Sequence, residues 1–315
     1  MIDVIRFVIV STVFAGACAC EAAPFAYVPN EKSGTISVID VGSKAVVKEW
    51  SAGAKPRGIA AAPDGSRLYV SDQPANALHI LDTASGRILQ SIALGESPEG
   101  VSISQDGHLI AAASEVANGV FLIDTRKLEL IGMIKTEGAN PEHAVFSPDG
   151  RWLYVSAEDA SQVDVIDVRE RKQVGSIEVG RRPRGIAFTP DGKRAYVACE
   201  LANAVYAIDA GNHRVVTRIP AGEFSNGLAM HPAGHRVYVS NGRAASVMAI
   251  DVTTDAVVGT IQVGQRPWNM AITPDGAELY VANGRSHSVS VVDTRTHLPL
   301  ADIPVGQFPW GVVIP

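Results

Sequence analysis

Seven aspartates recur along this chain at near-constant intervals: Asp40, Asp82, Asp124, Asp167, Asp209, Asp251 and Asp293, spaced 42, 42, 43, 42, 42 and 42 residues apart. Each interval holds short β-branched runs separated by Gly, Pro and Asp turns, the pattern of a small sheet that cannot bury both of its faces alone. Seven such sheets packed side by side around an axis solve that problem. The spacing therefore predicts an all-β fold, a seven-bladed β-propeller of four-stranded antiparallel blades. The phase of the repeat predicts how the ring closes. Six copies run from a Pro-x-Gly-like step into a Tyr-Val step: Pro56 to Tyr69, Pro98 to Ala111, Pro141 to Tyr154, Pro183 to Tyr196, Ser225 to Tyr238 and Pro267 to Tyr280. Tyr27 has no such step before it, and Pro309-Trp310-Gly311 has no Tyr-Val after it. A split blade is expected, in which the C-terminal strand completes a sheet begun by the N-terminal strands and leaves no open edge.

By length alone 315 residues suggest about two domains. The repeat overrides that prior, because residues 23–315 are used up in one ring. Hydrophobic residues make up 46% of the chain and charged ones 19%, which suits sheets packed face to face. A net charge of −6 without a basic block argues against a nucleic-acid footprint. Residues 1–22 read differently: Phe7 to Ala17 is apolar except for Ser11-Thr12, and small residues follow up to Ala22. That is a secretory signal peptide, too short to span a membrane. The mature chain is expected to be periplasmic or secreted, with no transmembrane span. Lipoprotein anchoring through Cys18 or Cys20 fits less well, since Ala15 stands where a larger aliphatic residue is preferred. Cleavage is expected near Ala19 or Ala22; the later site leaves Cys199 as the one cysteine, so no internal disulfide forms.

One unit shows the expected strand order. Arg184 to Phe188 is innermost, then Lys193 to Cys199, Ala204 to Asp209 and outermost Val215 to Ile219, with Thr189-Pro190-Asp191-Gly192 as a tight turn. The repeated aspartates are thus turn formers. Antiparallel order places the turns after the first and third strands on one face and the loops after the second and fourth on the other, and that second face carries most of the variation between copies.

A specific site must break the repeat. The position after the first-strand proline reads Arg57, Glu99, Glu142, Arg184, Asn226, Trp268 and Trp310 around the ring. Beside it, the loops after the second strands supply Glu31, Gln73, Glu115, Glu158, Glu200, Arg243 and Arg285. A channel mouth with acids on one arc and tryptophans with arginines on another fits a binding site for a ligand or partner. It fits equally a plugged channel in which Arg57 pairs with Glu99 and Glu142 with Arg184. His143 stands where five of the seven copies have Gly, with Asn269 the other exception; it is a ligand-contacting candidate, though a satisfied channel histidine is the plainer reading. No catalytic set and no metal site are predicted. Gly95 to Gly100 only resembles a nucleophile elbow, and the turn Pro232-Ala233-Gly234 separates His231 from His235.

Tyr27-Val28-Pro29-Asn30, Tyr238-Val239-Ser240-Asn241 and Tyr280-Val281-Ala282-Asn283, each before a Val-x-Val-Ile-Asp type strand, make the chain resemble the Tyr-Val-Thr-Asn (YVTN) β-propeller family. Residues 26–34, Val179 to Arg184, Val263 to Trp268 and Phe308 to Val313 resemble more closely the exported propellers associated with pyrroloquinoline quinone (PQQ) dependent alcohol catabolism. The third blade departs from the pattern, with Ala111-Ala112-Ala113-Ser114 in place of the tyrosine motif, and is expected to be looser or specialised. The resemblance implies a periplasmic binding or accessory protein serving a redox pathway, with a protein partner or a small ligand and no tightly held cofactor; PQQ is one candidate ligand. It does not imply a quinoprotein dehydrogenase, since the docking repeats, vicinal cysteines and calcium site of those enzymes are missing. Two other classes stay open: a lactonase-like propeller hydrolase, for which Glu31, Asn226 and His143 are the conceivable metal-site residues, and a cell-surface adhesion module.

N-terminal sequencing of the chain recovered from the periplasm should start between about Cys20 and Ala23. Recovery of an intact Met1 terminus would remove the case for a cleaved signal.

Overall fold

Twenty-seven strands fill the computed structural model, which describes residues 25–315; the expected signal peptide lies outside the described residues. Six blades are complete four-stranded antiparallel sheets. Blade 2 runs Pro56–Ala61, Arg67–Asp72, Ala77–Asp82 and Ile88–Ala93 from axis to rim. Blades 3 to 7 begin at Pro98, Pro141, Pro183, Ser225 and Pro267. Blade 1 holds Phe25–Asn30, Thr35–Asp40 and Ala45–Ser51, and the chain's last residues supply its axial edge. Tyr27 N and Val313 N each donate to the other residue's carbonyl, at 2.9 and 3.0 Å, and Trp310 N donates to Pro29 O at 3.0 Å. The ring closes as the repeat phase predicted. No helix among the described residues is long and apolar enough to cross a membrane.

The repeated aspartates do turn chemistry. Asp40, Asp82, Asp124, Asp167, Asp209, Asp251 and Asp293 each accept backbone amides two or three residues on through Oδ1. Such a bond holds a hairpin loop shut without tertiary help.

Apolar side chains are buried between neighbouring blades. Tyr196, Ala198, Val205 and Ala207 of blade 5, for instance, cluster with Val237, Val239 and Ile250 of blade 6. The motif tyrosines Tyr69, Tyr154, Tyr196, Tyr238 and Tyr280 are at most 2% exposed. Four of their hydroxyls, those of Tyr154, Tyr196, Tyr238 and Tyr280, reach the next blade; Tyr196 Oη bonds Asp255 Oδ1 at 2.9 Å, and Tyr238 Oη bonds Thr294 O at 3.1 Å. The third blade is not loose. Leu109–Ser114 pairs in register with the third strand, and Ala111, Ala112 and Ala113 are fully buried. Alanine there costs the blade its hydroxyl bridge and leaves its pairing intact.

Around the axis the Pro-x-Gly step brings backbones together. A Cβ added to Gly58 would stand 2.2 Å from Glu99 O, and one on Gly227 would stand 2.4 Å from Trp268 O. Only a residue without a side chain lets adjacent inner strands approach that closely. In every complete blade the ladder skips just after the strand's first residue, from Pro56 to Ile59 in blade 2 and likewise elsewhere, Ser225 standing for the proline in blade 6. That bulge turns the following residue towards the channel mouth.

Deleting Phe308 to Pro315 removes buried Trp310 and Val312 and half-buried Val313 and Ile314. At about 1.5–3 kcal/mol per fully buried side chain, the loss rivals a whole domain's stability of about 5–15 kcal/mol. The truncated chain should be unfolded or melt far below the full one in a calorimetric scan, and a melt within a few degrees would contradict the closure.

Candidate functional site

All seven ring positions gather at one channel mouth, and they are more buried than free tips would be. Glu99 is 0% exposed, Glu142 3%, Asn226 4% and Trp310 7%. Arg57, Arg184 and Trp268 are half-buried. The arginines are engaged by acids, most of them on neighbouring blades. Arg57 pairs with Glu99 and, through Nε at 3.3 Å, with Glu31. Arg184 pairs with Glu142 and Glu158, and with Glu200 at 3.2 Å. Arg182 adds Glu158 and Glu200 at 3.1 and 3.3 Å, and Arg266 holds the other oxygen of Glu200 at 2.7 Å. The cross-blade pairs Arg57–Glu99 and Arg184–Glu142 expected of a plugged channel are thus present, and removing one partner leaves a desolvated charge behind.

Crowding sets the protonation of this arc. Burial, then the neighbouring Glu142 charge, pushes Glu99 up to about 9 in spite of Arg57. Burial and Glu142 also push Glu158 up to about 7 and raise Glu115. Burial acts on Glu142 in the same sense, but Arg184, His143 and Arg57 together hold it below the usual carboxylate range. Glu142 is the negative charge that the other carboxyls accommodate.

Below the mouth, His143 and Asn269 occupy the channel where other blades have glycine. With Trp310, Gly185 and Leu228 they line a cavity of about 160 Å3. The His143 ring stacks on Trp310, centroids 5.5 Å apart and planes 14° apart. Burial drives its pKa down to about 4, so it is neutral near pH 7, and both ring nitrogens are buried without a hydrogen-bond partner. The cavity is smaller than the roughly 300–1,000 Å3 of a typical small-molecule pocket.

The opposite arc is aromatic and basic. Trp268 packs on Gly284, with the Arg266 guanidinium 5.9 Å from its ring centre and Phe308 at 6.3 Å. Lys32 Nζ sits 3.9 Å over Phe308, and Arg243 lies 5.3 Å from Phe224. Phe224, Arg266 and Phe308 were not singled out from sequence. Each immediately precedes a ring-forming strand and has φ between 56° and 58°. A loop amide pins each one: Gly242 N donates to Phe224 O, Gly284 N to Arg266 O and Glu31 N to Phe308 O, at 2.8 to 2.9 Å. Left-handed backbone at a bulky residue is strained and persists only where surrounding bonds impose it. The readable signal was variation at that position: Ser97, Asn140, Arg182, Phe224, Arg266 and Phe308.

Glu31, Asn226 and His143, the conceivable hydrolase metal set, form no metal-binding group among the described residues; the group with that geometry is Glu99, Glu115 and Glu142. Cys199 is buried and pushed up to about 12 by desolvation, an inert thiol. Away from the mouth, His79 bridges Asp72 at 3.2 Å and Ser91 at 2.8 Å, the atom order of a charge relay. The Asp72 oxygens already accept the amides of Ala54 and Lys55 at 2.9 Å, so this row clamps the loop between the first two blades.

The family model described as Lactonase, 7-bladed beta-propeller, matches residues 93–177 and 169–298, and that described as YNCE-like beta-propeller matches residues 8–108. No curated protein matches the chain. Among solved structures, hydrazine synthase of Kuenenia stuttgartiensis superposes with a TM-score of 0.79 at 22% identity, over 90% of this chain and 99% of that one. A functionally unknown protein from Desulfotomaculum acetoxidans DSM 771 gives 0.82 at 16%, over 92% and 98%. A putative 6-phosphogluconolactonase from Bacteroides fragilis NCTC 9343 gives 0.78 at 20%, over 94% and 99%. At these identities the likeness speaks for the fold alone.

Replacing Glu99 by Gln should change the pH profile of stability. A carboxyl whose folded pKa lies near 9 instead of 4.5 contributes stability that is complete below about pH 4.5 and lost as pH rises through about 9. The melting temperature of Glu99→Gln relative to wild type should climb from about pH 5 to about pH 9, and parallel curves would refute the buried neutral acid.

Proposed function

Given that the chain belongs to the seven-bladed β-propeller family described as Lactonase, we propose that it is an exported binding module, not a hydrolase, and that it docks its target on the aromatic and basic arc of the channel mouth. The observation that carries this reading is the set of Trp268, Phe308 and Phe224 with Arg266, Lys32 and Arg243 within cation–π distance. Flat aromatic faces flanked by cations hold a flat anion, or an acidic and aromatic segment of a protein, by stacking and charge together. The acidic arc suits that task less, because Arg57 and Arg184 are each held by two or more glutamates, whereas on the aromatic arc only Arg266 is held closely, by Glu200, and Lys32 and Arg243 are exposed. The target class, a PQQ-type anion or a partner in PQQ-dependent alcohol oxidation in the periplasm, rests on the motif resemblance at Val263 to Trp268 and Phe308 to Val313.

A second reading is lactone hydrolysis in the channel. Neutral His143 beside ionised Glu142, with both ring nitrogens free, has the atoms of a general base. The small cavity and the Trp310 ring stacked on His143 leave little room for a substrate.

Trp268→Ala and Arg243→Ala should each weaken binding of PQQ, or of the partner retained from periplasmic extract, at least about tenfold while shifting the melting temperature little. Intact binding in both variants would move the target elsewhere. Lactone turnover that disappears in His143→Ala would install the second reading instead.

A further inference from the structure

One carboxylate oxygen from each of Glu99, Glu115 and Glu142 lies within 4.8 Å of the other two. These three come from blades 3 and 4 and are brought together by the bulged inner strands of those blades and the loop after Leu109–Ser114. The acids of this arc outnumber the bases: Glu31, Glu99, Glu115, Glu142, Glu158 and Glu200 face Lys55, Arg57, Arg182, Arg184 and Arg266. Among the described residues Glu115 forms no salt bridge, and its recorded hydrogen bond comes from Ser97 Oγ at 3.0 Å.

A second observation is independent of that crowding. Glu99 and Glu142 are 0% and 3% exposed, and each spends Oε1 on an arginine. Oε2 of each is buried and no donor reaches it; on Glu99, a neutral acid near pH 7, a bound cation would displace the proton. A buried carboxylate oxygen without a donor is costly and rare in a native protein, and it asks for a ligand. We propose that Glu99, Glu115 and Glu142 form a divalent cation site at the channel mouth, and that its occupant is Ca2+. All donors are hard carboxylate oxygens, which excludes soft-metal preference. Ca2+ takes six to eight oxygens in flexible geometry at about 2.3–2.6 Å, so three carboxylates from two blades can hold it with water filling the open positions. Mg2+ demands near-ideal octahedral geometry at about 2.0–2.1 Å and sheds its water reluctantly, which carboxylates already tied to arginines suit less.

The site goes beyond the docking reading and does not depend on it: it lies on the acidic arc, whereas Trp268 and Phe308 lie on the other. Calorimetric titration of CaCl2 into the EDTA-treated full chain tests it. One Ca2+ per chain, tighter than about 1 mM, is expected, with at least a tenfold loss of affinity in Glu115→Gln. Glu115 stands at the rim with no ion pair, so this variant should keep the wild-type melting temperature. Glu142→Gln, checked for folding by circular dichroism, should abolish binding. Absence of Ca2+ binding by wild type, unchanged affinity in Glu115→Gln, or binding of Mg2+ in preference to Ca2+ would each overturn the assignment. The Trp268→Ala protein should bind Ca2+ like wild type, so a failed docking reading and a failed cation site give different results.

Discussion

Everything in this molecule depends on the ring being closed. A four-stranded blade has two apolar faces, and each can be covered only by the next blade, so the first and last blades of an open arc would each leave one face wet. The bonds between Tyr27 and Val313 and between Trp310 and Pro29 remove that exposed pair of faces. They also join residues nearly three hundred positions apart, a contact that must form late because its loop is the whole chain. Outer strands stay at the rim with exposed Val47, Leu89, Val216 and Leu300, and a register shift in each of them bends the edge away from flat pairing.

Closure then fixes the electrostatics of the channel mouth. The inner strands converge so tightly that glycine stands between them at five of seven positions, and the residues just before that position have nowhere to go but the rim of a narrow, dry opening. Charges placed there are partly desolvated by the fold itself. The arc from blade 1 to blade 5 responds by pairing across blades, Arg57 with Glu31 and Glu99 and Arg184 with Glu142 and Glu158, while Glu200 of its own blade completes the Arg184 set. The remaining arc is lined by rings, with Lys32 and Arg243 exposed and Arg266 tied back to Glu200. One opening thus combines a neutralised half and an accessible half.

How much of this could be read from sequence follows from what periodicity encodes. The period, the turn aspartates and the split blade were all legible, since each is local or a matter of phase. The ring Arg57, Glu99, Glu142, His143, Arg184, Asn226, Trp268 and Trp310 was legible as a set of breaks in the repeat. Its pairing was legible as one of two readings, and Arg57–Glu99 and Arg184–Glu142 are the pairs that form; sequence could not choose between the readings, because whether Arg57 meets a ligand or Glu99 depends on a few ångströms of channel width. The approach of Glu115 to Glu99 and Glu142 was equally hidden, as it comes from a loop after a different strand. Ala111 to Ala113 misled in the other direction: small residues suggested looseness, yet a strand buried on both sides packs alanine without a gap. Phe224, Arg266 and Phe308 escaped notice because nothing in a Phe or an Arg announces positive φ.

Those left-handed residues make the rim modular. In each blade the same amide-to-carbonyl clamp holds a side chain toward the opening, and the clamp is made of main chain only. Since the support is indifferent to what it carries, duplication of a blade copies the holder and leaves its contents free to vary. Ser97, Asn140, Arg182, Phe224, Arg266 and Phe308 are then six letters written on identical type, and a propeller of this kind can acquire a new target by respelling its rim, one position at a time, while its scaffold stays unaltered.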